Sequence, residues 1–459
     1  MSLLVVAFSL TATILILLVV LYGFRSGIFN LTASFACLAL IDIYLPSVLW
    51  GVQDEIRNYP FASHIGPDDI GRAILFYTLF YVLFLMALLA SSRVSQPSVH
   101  LPAHLIRLKT KLFWMALFFC SFSVLSLYLE MQSMGGWVLW LSSKFVRSKD
   151  WIDGAPSGVT ALILAIPFSY VFQAVAGAAF CLRKTRGYGW FFTYFFPSFA
   201  LAFALMSFLR GTILICLLTF LFAELFRIRY LNKHSFEASQ TGQKLSNRNS
   251  IKKLRRYSIA ALLFVFVIYG GVRDNLRAAD VGLESSRSFT LVPAFLEDGH
   301  GLISLSNIMV HYRDADERLL GKTYVDMLLL PVPRFLYQSK PTWYGVDDIA
   351  AGMNWPSSNQ AAATMPGEAY ANFGSIGLVL AVVLGAFLGR ARSFIFRSPV
   401  RFVIIGPVLF VTIPLSMNWM SFTGLMNNFF FVCLLIFICG ILENRLMIHQ
   451  GRIRIHRLG

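Results

Sequence analysis

The sequence predicts an all-α polytopic membrane protein. Of its 459 residues, 57% are hydrophobic and only 14% are charged, a balance more apolar than a water-soluble domain needs. Apolar runs of about 20 residues, the length that crosses a bilayer as a helix, recur along the chain. Lysines and arginines gather in alternate connections between these runs, as they do on the cytoplasmic side of membrane proteins. This pattern excludes disordered chains and most cytosolic enzymes.

About eleven of these runs are long enough to predict transmembrane helices. The first, Leu3–Tyr22, is predicted to be a retained helix, because residues 1–10 carry no basic side chain and no small-residue cleavage site follows. The other predicted spans are Ile28–Trp50, Ala73–Ser92, Leu112–Leu129, Val159–Leu182, Trp190–Leu209, Thr212–Phe226, Ile259–Val272, Ile376–Leu388, Phe402–Met417 and Leu425–Leu442.

The basic connections predict the orientation of the chain, with the amino terminus outside and the carboxyl terminus inside. The net charge of +16 then lies mainly against anionic lipid headgroups. Membrane lipid is therefore the expected partner and nucleic acid is not. Residues 227–257 are predicted to form a basic cytoplasmic loop, within a single transmembrane domain that covers 1–459. The basic connections are Arg25, 93–111, 183–186, 227–256, 390–401 and the tail from Arg445.

The longest outer segment is the loop 273–375. Connections of this length are usually functional or disordered, and this one is rich in Leu, Val, Phe and Tyr. Two stretches, Phe289–Tyr312 and Leu320–Tyr337, are apolar but poorly suited to spanning a bilayer. We expect them to form short amphipathic helices at the outer leaflet, so that the loop closes over the bundle.

Arginines on the outer side do not follow from the topology rule, which places the excess of basic residues inside. Arg210 lies in a tight turn between two apolar spans, where a guanidinium group is costly unless it faces a cavity or a partner. Arg273 and Arg277 follow directly after another span. Because arginine grips phosphate with two hydrogen bonds, these residues are candidates for binding the pyrophosphate of a lipid-linked substrate.

A structural role is the alternative for each of these arginines. An arginine at the end of a span often reaches lipid phosphate or pairs with a nearby acid. Arg273 is close in sequence to Asp274, and Arg277 to Asp280. Arg313 lies among Asp314, Asp316 and Glu317, which favours a local surface network over catalysis.

Acidic residues are the candidates for a general base, because transfer of a sugar to a hydroxyl group releases a proton. Glu368 lies just before a predicted span, among glycines that let other groups approach closely. The alternative is an acid at a helix start, stabilised by the helix dipole. His311 is a second candidate base because its unperturbed pKa is near neutral, although a surface histidine is the simpler interpretation.

No metal or cofactor is expected. The acidic pairs Asp54–Glu55 and Asp68–Asp69 have no further acid nearby, and we interpret them as loop acids. Asp42 lies within a predicted span, but one intramembrane acid is thin support for a transporter. The six cysteines lack zinc-site spacing.

Four motifs resemble, in their order along the chain, the oligosaccharide repeat-unit polymerases, the Wzy-type polymerases of bacterial O-antigen and related polysaccharides. The motifs are Gly135-Gly-Trp with Lys144-Phe-Val-Arg147, Phe208-Leu-Arg-Gly211, Pro331-Val-Pro-Arg334 with Lys340-Pro341, and Gly367-Glu-Ala-Tyr-Ala-Asn-Phe-Gly374. Members of the family have low sequence similarity and are often identified by topology alone.

This resemblance implies a metal-independent glycosyltransferase of the bacterial inner membrane with a GT-C-like fold. It implies a periplasmic amino terminus, a cytoplasmic carboxyl terminus and an undecaprenyl-pyrophosphate-linked oligosaccharide as donor. A chain-length regulator and a flippase are the expected protein partners. O-antigen ligases share the topology and remain an alternative, and a lipid-linked oligosaccharide flippase or transporter is another.

The resemblance also assigns roles to residues. It carries dependence on outer arginines over to Arg147, Arg210, Arg273, Arg277 and Arg334. Family members differ at the position of the proposed base, Glu368. On this hypothesis Tyr370 stacks on a sugar ring, while Lys340 and Asn372 donate hydrogen bonds to sugar or phosphate oxygens.

Overall fold

The structure, a computed structural model, describes residues 65–91, 102–140, 168–183, 187–206, 210–227, 300–328, 349, 364–398, 401, 404–406 and 435–440. Within these ranges the chain is mostly helical and contains no β-strand. The helices, in chain order, are α1 (Pro67–Ser91), α2 (Pro102–Ser133), α3 (Phe168–Cys181), α4 (Phe196–Met206), α5 (Arg210–Phe226), α6 (His300–His311), α7 (Lys322–Leu328), α8 (Met365–Phe373) and α9 (Leu378–Phe396).

Three helical segments of the described part are long and apolar enough to cross a membrane: Asp68–Ser91, Leu108–Ser133 and Met365–Ile395. They agree with the predicted all-α membrane protein at that level. The count of about eleven spans, the GT-C-like arrangement, the inner-membrane location and the orientation stay predictions. So do the single domain 1–459 and the loops 227–257 and 273–375.

The exposed faces of these helices suit a hydrocarbon environment. On α1, Leu75, Leu79, Val82, Met86 and Leu89 are all exposed, and their spacing places them on one side of the helix. Contiguous apolar surface of this kind is costly in water. Contact with lipid tails removes that cost, which supports the association of this helix with a membrane.

The described helices belong to two compact units. Unit 1 contains α1, α6, α7, α8 and α9 as far as Phe394, and unit 2 contains α2, α3, α4 and α5.

In unit 1, α1 and α9 approach so closely that only glycine fits between them. A Cβ atom on Gly385 would lie 2.2 Å from the carbonyl oxygen of Phe84, and one on Gly389 would lie 2.0 Å from Ser91 Oγ. The hydroxyl group of Ser91 donates to the Ala87 carbonyl at 2.6 Å and reaches the Gly385 carbonyl at 3.5 Å. Gly385 and Gly389 thus form a GxxxG contact, which is typical of helices packed in membranes.

A sharp bend separates α8 from α9. Gly374 ends α8 with a φ of 60°, in the region that favours glycine, and a 3₁₀ turn covers Gly374–Gly377. A Cβ atom on Gly377 would lie only 2.5 Å from the Ala369 carbonyl oxygen. The chain therefore bends sharply here, and α8 and α9 are two helices within the membrane-capable segment Met365–Ile395.

Helix α6 lies inside unit 1, packed against α1 and α8. All residues from 301 to 308 are buried. The sequence predicts a short amphipathic helix at the outer leaflet over Phe289–Tyr312; the described part, His300–His311, is helical, and its place at the leaflet stays a prediction. Ser304, Ser306 and Asn307 interrupt the apolar pattern and suggest a polar face, yet these side chains are buried too.

In unit 2, α3 is the central helix and contacts α2, α4 and α5. Small residues allow the close packing: a Cβ atom on Gly177 would lie 2.7 Å from Thr219 Cγ2 of α5. Phe172 packs edge-on against Phe196 and Phe203 of α4. A π-helical turn, Phe191–Phe195, leads into α4 and is followed by Pro197, which has no N–H for the helical ladder.

Candidate functional site

Glu368 lies in the first turn of α8, and its local structure is set by Thr364. The Thr364 hydroxyl accepts a hydrogen bond from the Gly367 N–H at 3.2 Å, and its carbonyl accepts one from the Glu368 N–H at 2.9 Å. A carboxylate in the first turn of a helix is stabilised by the helix dipole. This position therefore agrees with the structural alternative to catalysis, in which Glu368 only stabilises the start of the helix. The side chain is, however, 0% exposed, and burying a carboxylate carries a cost that a purely structural cap on the surface does not incur.

Helix α8 is held in place by close contacts with α6 and α1. A Cβ atom on Gly367 would lie 2.8 Å from Ile308 Cδ1 of α6. The ring of Tyr370 meets Phe76 of α1 edge-on, with 5.1 Å between the centroids. Tyr370, predicted to stack on a sugar, is thus buried against an aromatic ring of its own unit. These contacts fix the direction in which Glu368 projects from α8.

Asn372 ties α8 to the turn before α7. Its Oδ1 accepts from the Gly321 N–H at 3.0 Å, and its Nδ2 donates to Thr323 Oγ1 and to the Glu368 carbonyl, both at 2.8 Å. The Leu319 N–H also donates to the Ala371 carbonyl. Both ends of the Asn372 amide are engaged inside the protein, so its predicted role in binding substrate requires these bonds to be exchanged.

Tyr324 of α7 is the ionisable neighbour of Glu368. Its ring stacks on Phe373 with 5.7 Å between the centroids and 11° between the planes. Burial of the phenol, and secondarily the negative charge of Glu368, raises the pKa of Tyr324 well above its usual value. The tyrosine therefore stays neutral and keeps its O–H proton in the presence of the Glu368 carboxylate.

His311 and Arg313 follow one another at the end of α6. His311 is half-buried, and its ring meets that of Tyr312 edge-on. Arg313 donates to Asp69 Oδ1 at 2.8 Å, and Asp69 Oδ2 accepts from the Gly66 N–H. The sequence predicts a local surface network of Arg313 with Asp314, Asp316 and Glu317, whereas the structure pairs Arg313 with Asp69 of α1.

Arg210, the leading arginine from the sequence, is the first residue of α5 in unit 2. Five other predicted site residues lie outside the described part of the chain, namely Arg147, Arg273, Arg277, Arg334 and Lys340. Their roles stay predictions.

Unit 2 also contains an ion cluster at the carboxyl-terminal ends of α3 and α5. Glu224 accepts from Arg183 and, in bidentate fashion, from Arg227 at 2.6 and 2.8 Å. The Arg183 guanidinium also lies 3.9 Å above the Phe180 ring centroid. These contacts satisfy the carboxylate and restrain both arginines, so the cluster joins the two helix ends structurally.

Sequence reasoning missed Tyr324 and a second residue, Gln173 of α3. Tyr324 belongs to no motif, and only the folding of α7 onto α8 brings it near Glu368. Gln173 could have been identified from the sequence, because it is a polar residue within the apolar stretch Phe168–Cys181.

Among the described residues, no group of three or more His, Cys, Asp or Glu side chains is placed to hold a metal ion. In comparisons with known proteins, no family model, no curated protein and no solved structure matches this chain.

Proposed function

We propose that this protein is a glycosyltransferase that polymerises lipid-linked polysaccharide repeat units at the periplasmic face of the bacterial inner membrane. The observation that carries the proposal is the buried Glu368 carboxylate, which lies on the short helix at the start of the membrane-capable segment Met365–Ile395. Ionisable residues at such positions are rare unless they have a function. The resemblance of the surrounding sequence to repeat-unit polymerases supplies the reaction class.

In the proposed reaction, Glu368 accepts the proton of a sugar hydroxyl on the incoming lipid-linked repeat. The hydroxyl oxygen forms a glycosidic bond to the anomeric carbon of the growing chain. The bond from that carbon to undecaprenyl pyrophosphate breaks, and the pyrophosphate leaves with the electron pair. Arg210 neutralises the charge that develops on the leaving group, a contribution that is commonly large in catalysis.

Local order around Glu368 supports this role. Thr364, Asn372 and Gly367 fix α8 on both sides of the carboxylate, which is the preorganisation that a general base needs. Because Glu368 is fully enclosed, binding of the acceptor has to displace side chains or the turn 319–323 that covers this face of α8. Leu320 in that turn has a φ of 46°, a conformation that is strained for a leucine.

The experiment compares Glu368→Gln with Glu368→Asp in purified protein supplied with a defined lipid-linked repeat unit. Loss of a general base lowers the rate by about 10²- to 10⁴-fold, so we expect Gln to abolish polymer and Asp to retain part of the activity. Full-length polymer from the Gln variant would contradict the assignment. Addition of a single unit rather than many would favour a ligase, and movement of lipid without transfer would favour a flippase.

Arg210→Ala and Arg210→Lys test the second role in the same assay. We expect Ala to lose most polymer and Lys to recover little, since a lysine does not reproduce the bidentate grip on phosphate. Arg313→Ala is the matched control, because Arg313 is exposed and paired with Asp69. Equal activity of Arg210→Ala and Arg313→Ala would remove Arg210 from the reaction.

A further inference from the structure

Two buried polar side chains stand out because no described residue hydrogen-bonds their terminal atoms. They are the hydroxyl group of Ser304 in α6 and the amide of Gln173 in α3. A serine hydroxyl in a helix can reach a carbonyl of the preceding turn by one bond rotation, so its cost is small. The amide of a glutamine has no such local acceptor and donor pair, which makes Gln173 the feature that calls for an explanation.

Gln173 is enclosed in the core of unit 2. The side chain is 1% exposed, and within the described part of the chain neither Nε2 nor Oε1 has a partner. Its neighbours along α3, from Val171 to Ala179, are buried as well. An unpaired polar group in an apolar environment is destabilising, whereas a leucine or methionine of similar size would not carry this penalty. The amide is therefore retained against the stability of the fold.

The register of α3 and α5 shows where the amide lies. Gly177 faces Thr219, and Cys181 faces Ala223, to whose carbonyl its Sγ donates at 3.3 Å. Both helices thus run in the same direction, and Gln173, one turn before Gly177 on the same face, lies beside 215. Side chains on a helix lean towards its amino-terminal end. The Gln173 amide is thus directed towards the end at which α5 begins with Arg210.

Within its own helix, the first turn of α5 lacks hydrogen-bond acceptors for its backbone N–H groups. The first turn of a helix presents N–H groups that have no acceptor within the helix, and its dipole favours an anion there. A buried amide that leans towards a helix amino terminus supplies an additional donor, Nε2, and an acceptor, Oε1. The ligand that fits both is one that joins an anionic oxygen to a hydroxyl group, as a sugar phosphate does.

We infer that Gln173 and the amino-terminal turn of α5 bind the sugar diphosphate end of the lipid-linked donor. Nε2 donates to a phosphate oxygen, and Oε1 accepts from a hydroxyl of the adjacent sugar. This inference rests on the proposed function for the identity of the donor. It assigns Gln173 as a binding residue and makes no use of Glu368 or of the proton transfer.

The test measures binding of undecaprenyl pyrophosphate to full-length protein in detergent, both directly and as a rise in the thermal midpoint. The variants are Gln173→Leu and Gln173→Met, with Thr219→Val as the matched control. Thr219 is buried in the same helix seam, but its hydroxyl donates to the Ile215 carbonyl of its own helix, and valine keeps the Cγ2 contact with Gly177.

We expect undecaprenyl pyrophosphate to stabilise the wild-type protein and the Thr219→Val variant. Affinity in both Gln173 variants should fall by about tenfold to a hundredfold, the loss of a hydrogen bond to a charged group. Without ligand, both Gln173 variants should unfold at a higher temperature than the wild type, because they remove an unpaired buried amide. Together these results separate ligand binding from a structural role.

Three outcomes would overturn the inference. The first is wild-type protein that does not bind undecaprenyl pyrophosphate, and the second is unchanged affinity in both Gln173 variants. The third is loss of stability in both variants without ligand, which would show that the amide has a structural partner. Polymer formation is read separately: a protein that binds the diphosphate through Gln173 but makes no polymer would refute the proposed function and leave this site in place.

Discussion

Units 1 and 2 hold their buried polar groups in different ways. In unit 1 the polar side chains bond across elements: Asn372 links α8 to the turn before α7, and Thr364 caps α8 beside Glu368. In unit 2 the described core is aromatic and small-residue packing, the ion cluster of Glu224 lies at the helix ends, and the buried amide of Gln173 has no hydrogen-bond partner among the described residues. The surroundings of Asn372 in unit 1 thus use polar contacts to fix a geometry, whereas the seam between α3 and α5 in unit 2 contains an amide that is not hydrogen-bonded within the described part of the chain.

This difference suggests distinct tasks. A general base has to be held in one orientation. A connected hydrogen-bond network can do this, but it requires many hydrogen-bonding partners. A binding group has to be available to its ligand, and an internal partner would compete with that ligand. The contrast can be tested by perturbing matched positions in the two units.

The largest effect is expected from glycines at the helix contacts. In Gly385→Ala the new Cβ atom meets the backbone carbonyl of Phe84 at 2.2 Å, whereas in Gly177→Ala it meets the side-chain Cγ2 of Thr219 at 2.7 Å. A backbone atom moves only with its helix, so we expect Gly385→Ala to lower the free energy of unfolding by about 3 kcal/mol. For Gly177→Ala we expect about 1 kcal/mol, because a side chain can shift.

Equilibrium unfolding of both variants in mixed micelles provides the measurement. Gly440→Ala is the control, since its Cβ atom would meet no atom within 4 Å. Equal losses for the alanine variants at 385 and 177 would show that the α1–α9 contact is no tighter than the seam between α3 and α5.

The next effect concerns Asn372. Replacing it by leucine keeps the volume but leaves the buried Gly321 N–H and Thr323 hydroxyl without their present partner. An unsatisfied buried group costs about 1–3 kcal/mol, so the unfolding free energy should fall by about 2 kcal/mol. Amide hydrogen exchange at 319–324 should accelerate, while exchange in α1 stays slow.

The matched comparison is Gln173→Leu, which we expect to raise the free energy of unfolding, whereas Asn372→Leu lowers it. If both leucine variants destabilise the protein, the contrast between a bonded network in unit 1 and an unpartnered amide in unit 2 is wrong. If Asn372→Leu leaves exchange at 319–324 unchanged, Asn372 does not hold the turn.

The sequence predicts the helical class and several helices well, because a long apolar run in a membrane has few structural alternatives to a helix. The helix predicted over Thr212–Phe226 is present as α5, Arg210–Phe226, although its crossing of a membrane stays a prediction. The GxxxG contact of Gly385 and Gly389 was also readable as a motif, although the identity of its partner helix was not. Burial of α6 was not predictable, since its serines and asparagine mimic a solvent-exposed face and only the packing of α1 and α8 encloses them.

The candidate site was predictable only in part for the same reason. Glu368 is conspicuous as an acid at the edge of an apolar run, and its position in a first turn follows from Thr364 and Pro366. Its neighbour Tyr324 is distant in sequence, and the turn that joins them depends on Leu320 and Gly321, both at positive φ. Such contacts arise from tertiary folding, which local patterns do not encode.

The smallest predicted effect is a pH dependence that isolates the pair of Tyr324 and Glu368. Burial and the Glu368 charge raise the pKa of Tyr324 in the folded state, while in the unfolded chain it is about 10. The stability due to the neutral phenol is therefore complete below pH 10 and is lost as the pH rises towards the folded-state pKa. Between pH 8 and pH 11 the wild type should lose about 1.4 kcal/mol more than Tyr324→Phe, the equivalent of one pH unit.

Unfolding of both proteins at the two pH values measures this difference, and the other tyrosines cancel because they are common to both. Combining Tyr324→Phe with Glu368→Gln locates the cause. If the charge of Glu368 contributes measurably, the excess loss attributable to Tyr324 shrinks when Glu368 is neutral, because the folded-state pKa of Tyr324 then falls towards the pH range of the measurement. An excess that persists undiminished would show that burial alone holds the pKa of Tyr324 above that range.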